Sequence, residues 1–318
     1  MTVVDHASQL VRNGRAAEAV AKLESAVDAG DSPSAIELGI WFLEGRYVPR
    51  DLRRSRAAFA RAAELGDVTA ERIYTSFVAL GIGATADWTG ALERLEKLAR
   101  RDALAAAQLS LLDCMELTAT GDPVGRPVGR RLSDQPEIAS FDNLFTVDEC
   151  SYLISRAEPL LRPSVIVDPS TGVMKPHPIR TSDGAMFPWV SEDLVIHALN
   201  RRIANASDTQ VDCGEPLQVL RYRPGQEYRP HLDALPKTDN QRVLTMLVYL
   251  NNDYRGGETC FTRTGLKFTG DVGTGLLFRN ASAGGLPDEN ALHSGEPVAK
   301  GQKFLASRWI RERPIVPS

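Results

Sequence analysis

The residues with the clearest chemical potential are a histidine and an aspartate two positions apart. His231 and Asp233 lie in the segment YRPGQEYRPHLDAL. On an extended backbone, side chains at positions i and i+2 point to the same face, so both can bind one metal ion. Two imidazoles and one carboxylate are the ligand set of mononuclear Fe(II) oxygenases, which keep the other positions open for co-substrate and dioxygen. The HxD pair alone is weak evidence for a metal site, because a surface histidine beside an aspartate is the commoner arrangement.

A third ligand and a cation follow further along the chain. His293 lies in LHSGEPVAKGQKF, and Lys303 follows ten residues later on a predicted strand. A cation at that distance suits the distal carboxylate of a dicarboxylic co-substrate whose 2-oxo acid end would chelate the iron. These four residues together indicate an iron oxygenase.

The bulk composition bounds the class of protein. A chain of 318 residues predicts two globular units, and 43% hydrophobic residues, 25% charged residues and a net charge of -4 are ordinary for globular domains. The missing basic footprint argues against nucleic acid as a partner. Four dispersed cysteines without a CxxC pair argue against a zinc ribbon or disulfide framework. Without a signal-peptide core or a membrane-length apolar run, we expect no membrane association and a cytoplasmic location.

The first third of the chain predicts helical repeats. From about residue 7 to residue 117, apolar residues recur at helical spacing. The segment AIELGIWFLEGRYVPRD at Ala35 is echoed by AERIYTSFVALGIGATAD at Ala70, and a third, partial copy is expected near Ala106. Gly45 matches Gly81, and Asp51 matches Asp87.

This pattern resembles the Sel-one-like subclass of tetratricopeptide repeats, over about a third of the chain. Helix pairs of this kind cannot bury their apolar faces alone, so they stack into a short solenoid with a concave surface suited to a partner. An equally weighted alternative is that the helices only cap or stiffen the neighbouring domain. We assign residues 1–117 to this helical domain.

Residues 118–137, TATGDPVGRPVGRRLSDQPE, are rich in proline and glycine and are predicted to be a linker. Residues 138–318 then change character, with a helix after Phe145 followed by short β-rich runs. The predicted strands are 217–222, 242–250, 274–280 and the final run QKFLASRWI. The fold class expected for the chain is α+β in two domains, the second being a double-stranded β-helix, or jelly roll, with flanking helices.

The second domain closely resembles the prolyl 4-hydroxylases, especially the plant and algal type, within the Fe(II)/2-oxoglutarate dioxygenases. The resemblance runs from about Phe141 to Arg311. Four ordered blocks carry it: VDPSTGVMKPHPIRTSDGAMF, GEPLQVLRYRPGQEYRPHLD, RVLTMLVYLNNDYRGGETCF and HSGEPVAKGQKFLASRWI. It implies hydroxylation of a prolyl residue in a peptide or protein with Fe(II), 2-oxoglutarate and dioxygen, releasing succinate and carbon dioxide, and also ascorbate binding.

The resemblance further implies roles for individual residues. His231, Asp233 and His293 would bind iron, while Lys303 would pair with the distal carboxylate of 2-oxoglutarate. Tyr222 and Thr245 would support that carboxylate. Six residues would line the groove for a proline-containing peptide: Arg180, Ser182, Glu215, Tyr228, Arg242 and Trp309. The tyrosines and the tryptophan have a plain alternative as core aromatics, and Gly256 and Gly257 are predicted to form a tight turn, with Glu258 and Thr259 not required to touch substrate.

Three departures from the family pattern bear on the substrate. The loop ALPKTDNQ after Asp233 is short, Thr262 replaces a usual proline, and Arg311 stands where that group often has histidine. The presence of Asp233 favours hydroxylation over halogenation, since related halogenases carry a small residue there. Two alternatives stay open: an oxygenase acting on another amino acid or a small molecule, and an interaction protein whose oxygenase-like domain is non-catalytic or senses oxygen.

Overall fold

The computed structural model describes residues 2–167, 174–176, 178–282 and 284–315. It divides into a helical unit, residues 1–122 with 189–197, and a sheet unit, residues 123–188 with 198–316. The first of the four family-like blocks falls partly outside the described residues, at 168–173 and 177. No helix in the described parts of the chain is long and apolar enough to cross a membrane.

Seven helices follow one another in the first 113 residues of the helical unit. They are α1 (Val3–Arg12), α2 (Ala16–Asp28), α3 (Ser32–Glu44), α4 (Leu52–Glu64), α5 (Val68–Leu80), α6 (Trp88–Ala99) and α7 (Ala103–Asp113). Each helix packs against its neighbours in sequence. This confirms the predicted helical repeats.

The residues that repeat in the sequence are the ones that begin and end the helices. Aspartate side chains cap α3 to α7 by accepting a hydrogen bond from a backbone N–H of the first turn. Gly45 and Gly81 end α3 and α5 with φ angles of 67° and 74°, a left-handed conformation that glycine adopts without strain. The repeat is therefore a repeat of helix boundaries, and α7 begins the partial third copy.

The core of the helical unit lies between successive helix pairs. Phe59 of α4 and Phe77 of α5 meet edge to face, with ring centroids 5.3 Å apart. Gly39 in α3 leaves room for this pair, because a Cβ there would lie 2.9 Å from the Phe59 ring. Trp189 and Val190, which belong to the same unit, pack against this cluster. Each pair buries its apolar face against its neighbours, as a short solenoid requires.

The sheet unit is built from short strands. In chain order they are β1 (Arg130–Asp134), β2 (Glu137–Phe141), β3 (Arg162–Pro163), β4 (Val165–Val167), β5 (Met174–Pro176), β6 (Asp183–Phe187), β7 (Leu217–Tyr222), β8 (Tyr228–His231), β9 (Arg242–Tyr249), β10 (Arg255–Gly256), β11 (Thr259–Phe261), β12 (Leu266–Phe268), β13 (Gly275–Arg279), β14 (His293–Gly295), β15 (Val298–Lys300) and β16 (Lys303–Arg311). Two longer helices accompany them in sequence, α8 (Val147–Ala157) and α9 (Leu194–Ser207). The four predicted strands and the helix after Phe145 are confirmed.

Two antiparallel sheets form the jelly roll. The larger has the order β1-β2-β13-β9-β16-β7-β6-β3, and the smaller has the order β12-β11-β14-β8. Buried residues of both sheets meet in one cluster, in which Phe261 of the smaller sheet packs with Tyr249, Phe278 and Leu305 of the larger. The α+β expectation with a jelly roll in the second domain is therefore confirmed.

The region predicted as a linker contains more structure than its composition indicated. The two units divide between Asp122 and Pro123 rather than at residue 117. Within residues 118–137, β1 forms a hairpin with β2, and β2 in turn pairs with β13. The strand that holds this hairpin in the sheet is β13, which is distant in sequence. The composition of residues 118–137 alone therefore could not predict the hairpin.

Candidate active site

The three candidate ligands meet on the smaller sheet. His231 ends β8, His293 begins β14, and the two stand directly opposite each other in the antiparallel pair. Asp233 follows β8 by two residues, with one carboxylate oxygen 3.6 Å from Nε2 of His231 and the other 3.7 Å from Nε2 of His293. The three ligand atoms lie within 4.8 Å of one another. One ion can therefore be reached by all three.

Backbone carbonyls set the histidine tautomers. Nδ1 of His231 lies 2.9 Å from the Arg229 carbonyl, and Nδ1 of His293 lies 3.0 Å from the Ala291 carbonyl. A carbonyl oxygen only accepts, so each Nδ1 carries the proton and each Nε2 presents its lone pair. This is the tautomer that metal-binding histidines use, with the second nitrogen oriented by a hydrogen bond. Two lone pairs and a carboxylate fit Fe(II).

The charges of the ligands suit a cation as well. Burial, together with the neighbouring His293, lowers the pKa of His231 to about 4. Burial opposes the charge on Asp233, but the two imidazoles and a hydrogen bond from Thr245 outweigh it and lower the pKa of that carboxyl. At neutral pH the site therefore holds a neutral His231 and an ionised Asp233, the protonation states that metal binding needs.

Lys303 lies on the wall of the same cavity. This cavity, of about 30 Å³, is lined by the three ligands, by Lys303 and by Tyr222. Lys303 begins β16, is 2% exposed, and pairs across the sheet with Tyr222. Its ammonium donates to the carbonyl of Gly257 at 2.7 Å. Burial lowers the pKa of Lys303 to about 7, which Glu258 only partly opposes, so an arriving carboxylate would restore its charge.

Comparison with known proteins decides what this arrangement is. The family profile of the 2OG-Fe(II) oxygenase superfamily matches residues 217–311, a range that includes all four residues. Probable prolyl 4-hydroxylase 3 of Arabidopsis thaliana is 34% identical over 203 residues, covering 56% of this chain and 70% of that protein. Prolyl 4-hydroxylase 1 of the same plant is 34% identical over 201 residues, covering 57% and 71%.

The chain belongs to the 2OG-Fe(II) oxygenase superfamily, in the family of the prolyl 4-hydroxylases. A solved structure that aligns with this oxygenase is the viral collagen prolyl hydroxylase of Paramecium bursaria Chlorella virus-1 as its 2OG complex. That alignment has a TM-score of 0.44 at 29% identity and covers 55% of this chain and 95% of the viral one. The superfamily match and the cluster of His231, Asp233 and His293 make Fe(II) and 2-oxoglutarate the cofactor and co-substrate of this enzyme.

Of the two residues predicted to support the distal carboxylate, the structure brings one to the cavity. Tyr222 lines it beside Lys303 and is buried. Thr245 points elsewhere: its hydroxyl lies 2.7 Å from Asp233 and 2.8 Å from the side-chain amide of Asn280. The structure thus places Thr245 behind the metal ligand rather than beside Lys303.

Thr259 is the threonine that lies on the cavity wall, and sequence reasoning passed over it. It begins β11, is buried, and its hydroxyl is 2.7 Å from the hydroxyl of Tyr249. The available signal was the preceding glycine pair. Gly257 has a φ of 72°, and a Cβ there would lie 3.2 Å from the Lys303 side chain, so this glycine makes room for the lysine as well as forming the predicted turn.

Two of the residues predicted to line a substrate groove, Tyr228 and Arg180, lie on the cavity wall. The Tyr228 ring stacks on the imidazole of His231, with centroids 3.4 Å apart and planes 16° from parallel. The Arg180 guanidinium lies 5.5 Å from the Tyr228 ring centroid. Tyr228 therefore shields one face of a candidate metal ligand.

Trp309 also lines the cavity, whereas Glu215, Arg242 and Ser182 do not. Arg242 lies over the Trp309 ring, 3.7 Å from its centroid, and both Arg242 and Arg311 donate to the Glu215 carboxylate at 2.6 Å. Ser182 is fully buried and lies 3.3 Å from Ser164 through its hydroxyl. The predicted groove set thus separates into side chains on the wall and side chains behind it.

Proposed function

We propose that this oxygenase hydroxylates a prolyl residue of a peptide or protein, consuming 2-oxoglutarate and dioxygen and releasing succinate and carbon dioxide. The observation that carries the proposal is one cavity lined both by an Fe(II) ligand set and by a buried lysine whose ammonium donates to a neutral carbonyl. The chain is also 34% identical over 203 residues to a protein named as a probable prolyl 4-hydroxylase. When bound, iron and 2-oxoglutarate supply the oxidising power that inserts oxygen into a C–H bond.

The residues of the chain prepare this chemistry by position and charge. His231, Asp233 and His293 form one face of a coordination sphere and leave the opposite face open. Lys303 anchors the distal carboxylate, since a buried ammonium gains most from an anion in a site without water. The small cavity and its mostly buried walls limit the access of solvent to the reacting atoms.

The cavity walls support a prolyl acceptor. Tyr228 and Trp309 present aromatic rings beside the metal ligands, and an aromatic surface packs well against the apolar, rigid ring of proline. Trp309 is held by Arg242, which Glu215 fixes in turn. The rigid support means that the wall is ordered before substrate arrives, which lowers the cost of binding.

The test is succinate release by the Fe(II)-loaded protein with poly-proline and proline-rich peptides. The expected result is peptide-stimulated succinate formation, together with a mass gain of one oxygen atom on the peptide. Matched peptides with alanine in place of proline serve as the control and should give only the slow turnover expected without peptide. Equal stimulation by the alanine peptides would reject a prolyl acceptor, and a mass gain on another residue type would name the alternative.

We further infer that the helical unit helps to recruit a peptide. A groove of about 230 Å³ between α2, α3 and α4 has an apolar floor that includes Leu38 and Phe42. Arg54 crosses it, pairing with Glu24 and lying over the Phe42 ring at 3.9 Å. Ala57 lines the same groove and is exposed, so Ala57→Asp can add a charge there without disturbing the core. It should raise the KM for a long peptide and not for a short one, and equal changes for both would reject recruitment. The cytoplasmic location and the use of ascorbate stay predictions.

A further inference from the structure

Asp233 is connected to a buried amide through a single threonine. The Thr245 hydroxyl, in the middle of β9, lies 2.7 Å from Oδ2 of Asp233. The same hydroxyl lies 2.8 Å from Nδ2 of Asn280. Thr245 is fully buried and Asn280 is 1% exposed. These contacts form a continuous chain from the metal ligand to the residue that follows β13.

Elementary hydrogen-bond chemistry gives this chain a direction. An ionised carboxylate only accepts, so the single hydroxyl proton of Thr245 goes to Asp233. The hydroxyl must then accept from Asn280, which turns the amide NH₂ towards Thr245. As a result, the amide oxygen of Asn280 has no hydrogen-bond partner among the described residues. A buried polar atom without a partner is destabilising. The hydrogen bond that the Asn280 side-chain NH₂ donates to Thr245 therefore explains an asparagine at this position better than packing does.

Backbone contacts fix the position of Asn280. Its N–H donates to the Val243 carbonyl at 2.9 Å, and its carbonyl accepts from Asp288 at 2.9 Å. Asn280 begins the loop that leads to His293, while Thr245 and Val243 lie on the strand that follows the Asp233 loop. The backbone of Asn280 is therefore anchored both to β9, which carries Thr245, and to the loop that leads to His293.

We propose that Thr245 and Asn280 are positioning residues that occupy one carboxylate oxygen of Asp233, so that Asp233 binds the metal through the other oxygen alone. Oδ2 lies 3.7 Å from Nε2 of His293 but accepts the Thr245 proton, so Oδ1, which lies 3.6 Å from Nε2 of His231, is the oxygen that remains for the ion. A one-oxygen carboxylate ligand leaves one more coordination position open than a two-oxygen ligand does. The hydrogen-bond chain Asp233–Thr245–Asn280, called the relay below, thus preserves space for co-substrate and dioxygen.

The inference rests on the proposed function only in taking Asp233 as a metal ligand, so the test uses metal binding without turnover. Co(II) is titrated anaerobically into the full-length apo-protein, and both the Kd and the visible absorption spectrum are recorded, since the spectrum reports coordination number. Thr245→Val should weaken Co(II) binding by about 10- to 100-fold and change the spectrum, as loss of other outer-shell partners does. Thr245→Ser, which keeps the hydroxyl, should restore both.

Asn280→Leu provides a second, milder test, because it removes the donor and keeps the volume. It should weaken Co(II) binding by about 2- to 10-fold, as expected for one neutral hydrogen bond. Thr75→Val is the matched control, since Thr75 is equally buried in α5 and its hydroxyl has no partner among the described residues. The control should leave Kd and spectrum unchanged.

Three outcomes are informative. Wild-type Kd and spectrum in folded Thr245→Val would overturn the proposal. If Thr245→Val does not fold, as judged by circular dichroism, Asn280→Leu decides: weaker binding supports the relay, and unchanged binding overturns it. A wild-type protein that binds Co(II) but never hydroxylates proline would reject the proposed function and leave the relay standing.

Discussion

The cavity has a metal end, formed by His231, Asp233 and His293, and a lysine end, formed by Lys303 and Thr259. At the metal end, other groups of the protein orient every ligand. At the lysine end, the positive charge of Lys303 still needs an anionic partner. Carbonyls hold both imidazoles, and Thr245 holds the carboxylate. The Lys303 ammonium donates to the Gly257 carbonyl, a neutral acceptor. The two ends therefore depend on their ligands in different ways.

The difference has a physical cause. A neutral imidazole and a carboxylate that accepts a hydrogen bond from Thr245 are stable in a buried site, so the metal end keeps its geometry and charge without an ion. A buried ammonium facing a carbonyl is costly, so the lysine end loses its proton near pH 7 until an anion arrives. We expect the metal end to fail when a ligand is removed and the lysine end to respond to pH and co-substrate.

The largest expected effect is at the metal end. Asp233→Ala removes the one anionic ligand, so Fe(II) affinity and peptide-stimulated succinate release should each fall by more than about 1000-fold, since even outer-shell losses cost 10- to 100-fold. Metal content after dialysis and succinate release check this. Asp239→Ala is the control, because that carboxylate is 98% exposed. Turnover retained in Asp233→Ala would remove Asp233 from the ligand set.

Lys303→Ala tests the lysine end. The KM for 2-oxoglutarate should rise by about 10- to 100-fold, because a hydrogen bond to a charged group contributes about 1.5–3 kcal/mol. Fe(II) affinity should stay unchanged, which separates the two ends. Steady-state kinetics at varied 2-oxoglutarate and a metal titration measure both quantities. An unchanged KM would mean that another basic residue, such as Arg311, holds the carboxylate.

The same lysine predicts a pH dependence with a definite sign. With a pKa of about 7, Lys303 in the free enzyme loses its charge as pH rises, and the bound carboxylate requires that charge. From pH 6 to pH 8 the charged fraction falls by about tenfold, so 2-oxoglutarate affinity should fall by about tenfold. Calorimetric titration of Co(II)-loaded protein without oxygen measures this. In Lys303→Arg, which stays charged, the affinity for 2-oxoglutarate should not change with pH. A wild-type affinity that does not change with pH would contradict the low pKa of Lys303.

The sequence determines the local parts of this picture better than the contacts across sheets. Helix boundaries follow from Asp51 and Gly45 because caps act on the next turn. The metal ligands follow because His231 and Asp233 lie two residues apart on one strand. The choice between Thr245 and Thr259 does not follow, because both lie in one family-like block and only the packing of two sheets shows which one faces the cavity. The partners of Glu215 do not follow from the sequence either. Its carboxylate accepts hydrogen bonds from Arg242 and Arg311, which lie 27 and 96 residues away along the chain.

The smallest expected effect concerns Thr259 and tests what a single hydroxyl contributes at the lysine end. Tyr249 can donate its proton to Thr259 or to the Phe268 carbonyl, 3.2 Å away, so the Thr259 proton is available to a carboxylate beside Lys303. Thr259→Val should raise the KM for 2-oxoglutarate by about 2- to 10-fold, the contribution of one neutral hydrogen bond, with kcat nearly unchanged. Thr75→Val controls for the loss of a buried hydroxyl. A larger effect on kcat than on KM would place Thr259 in the support of the metal end, and the division of the cavity into two independently tunable ends would then be wrong.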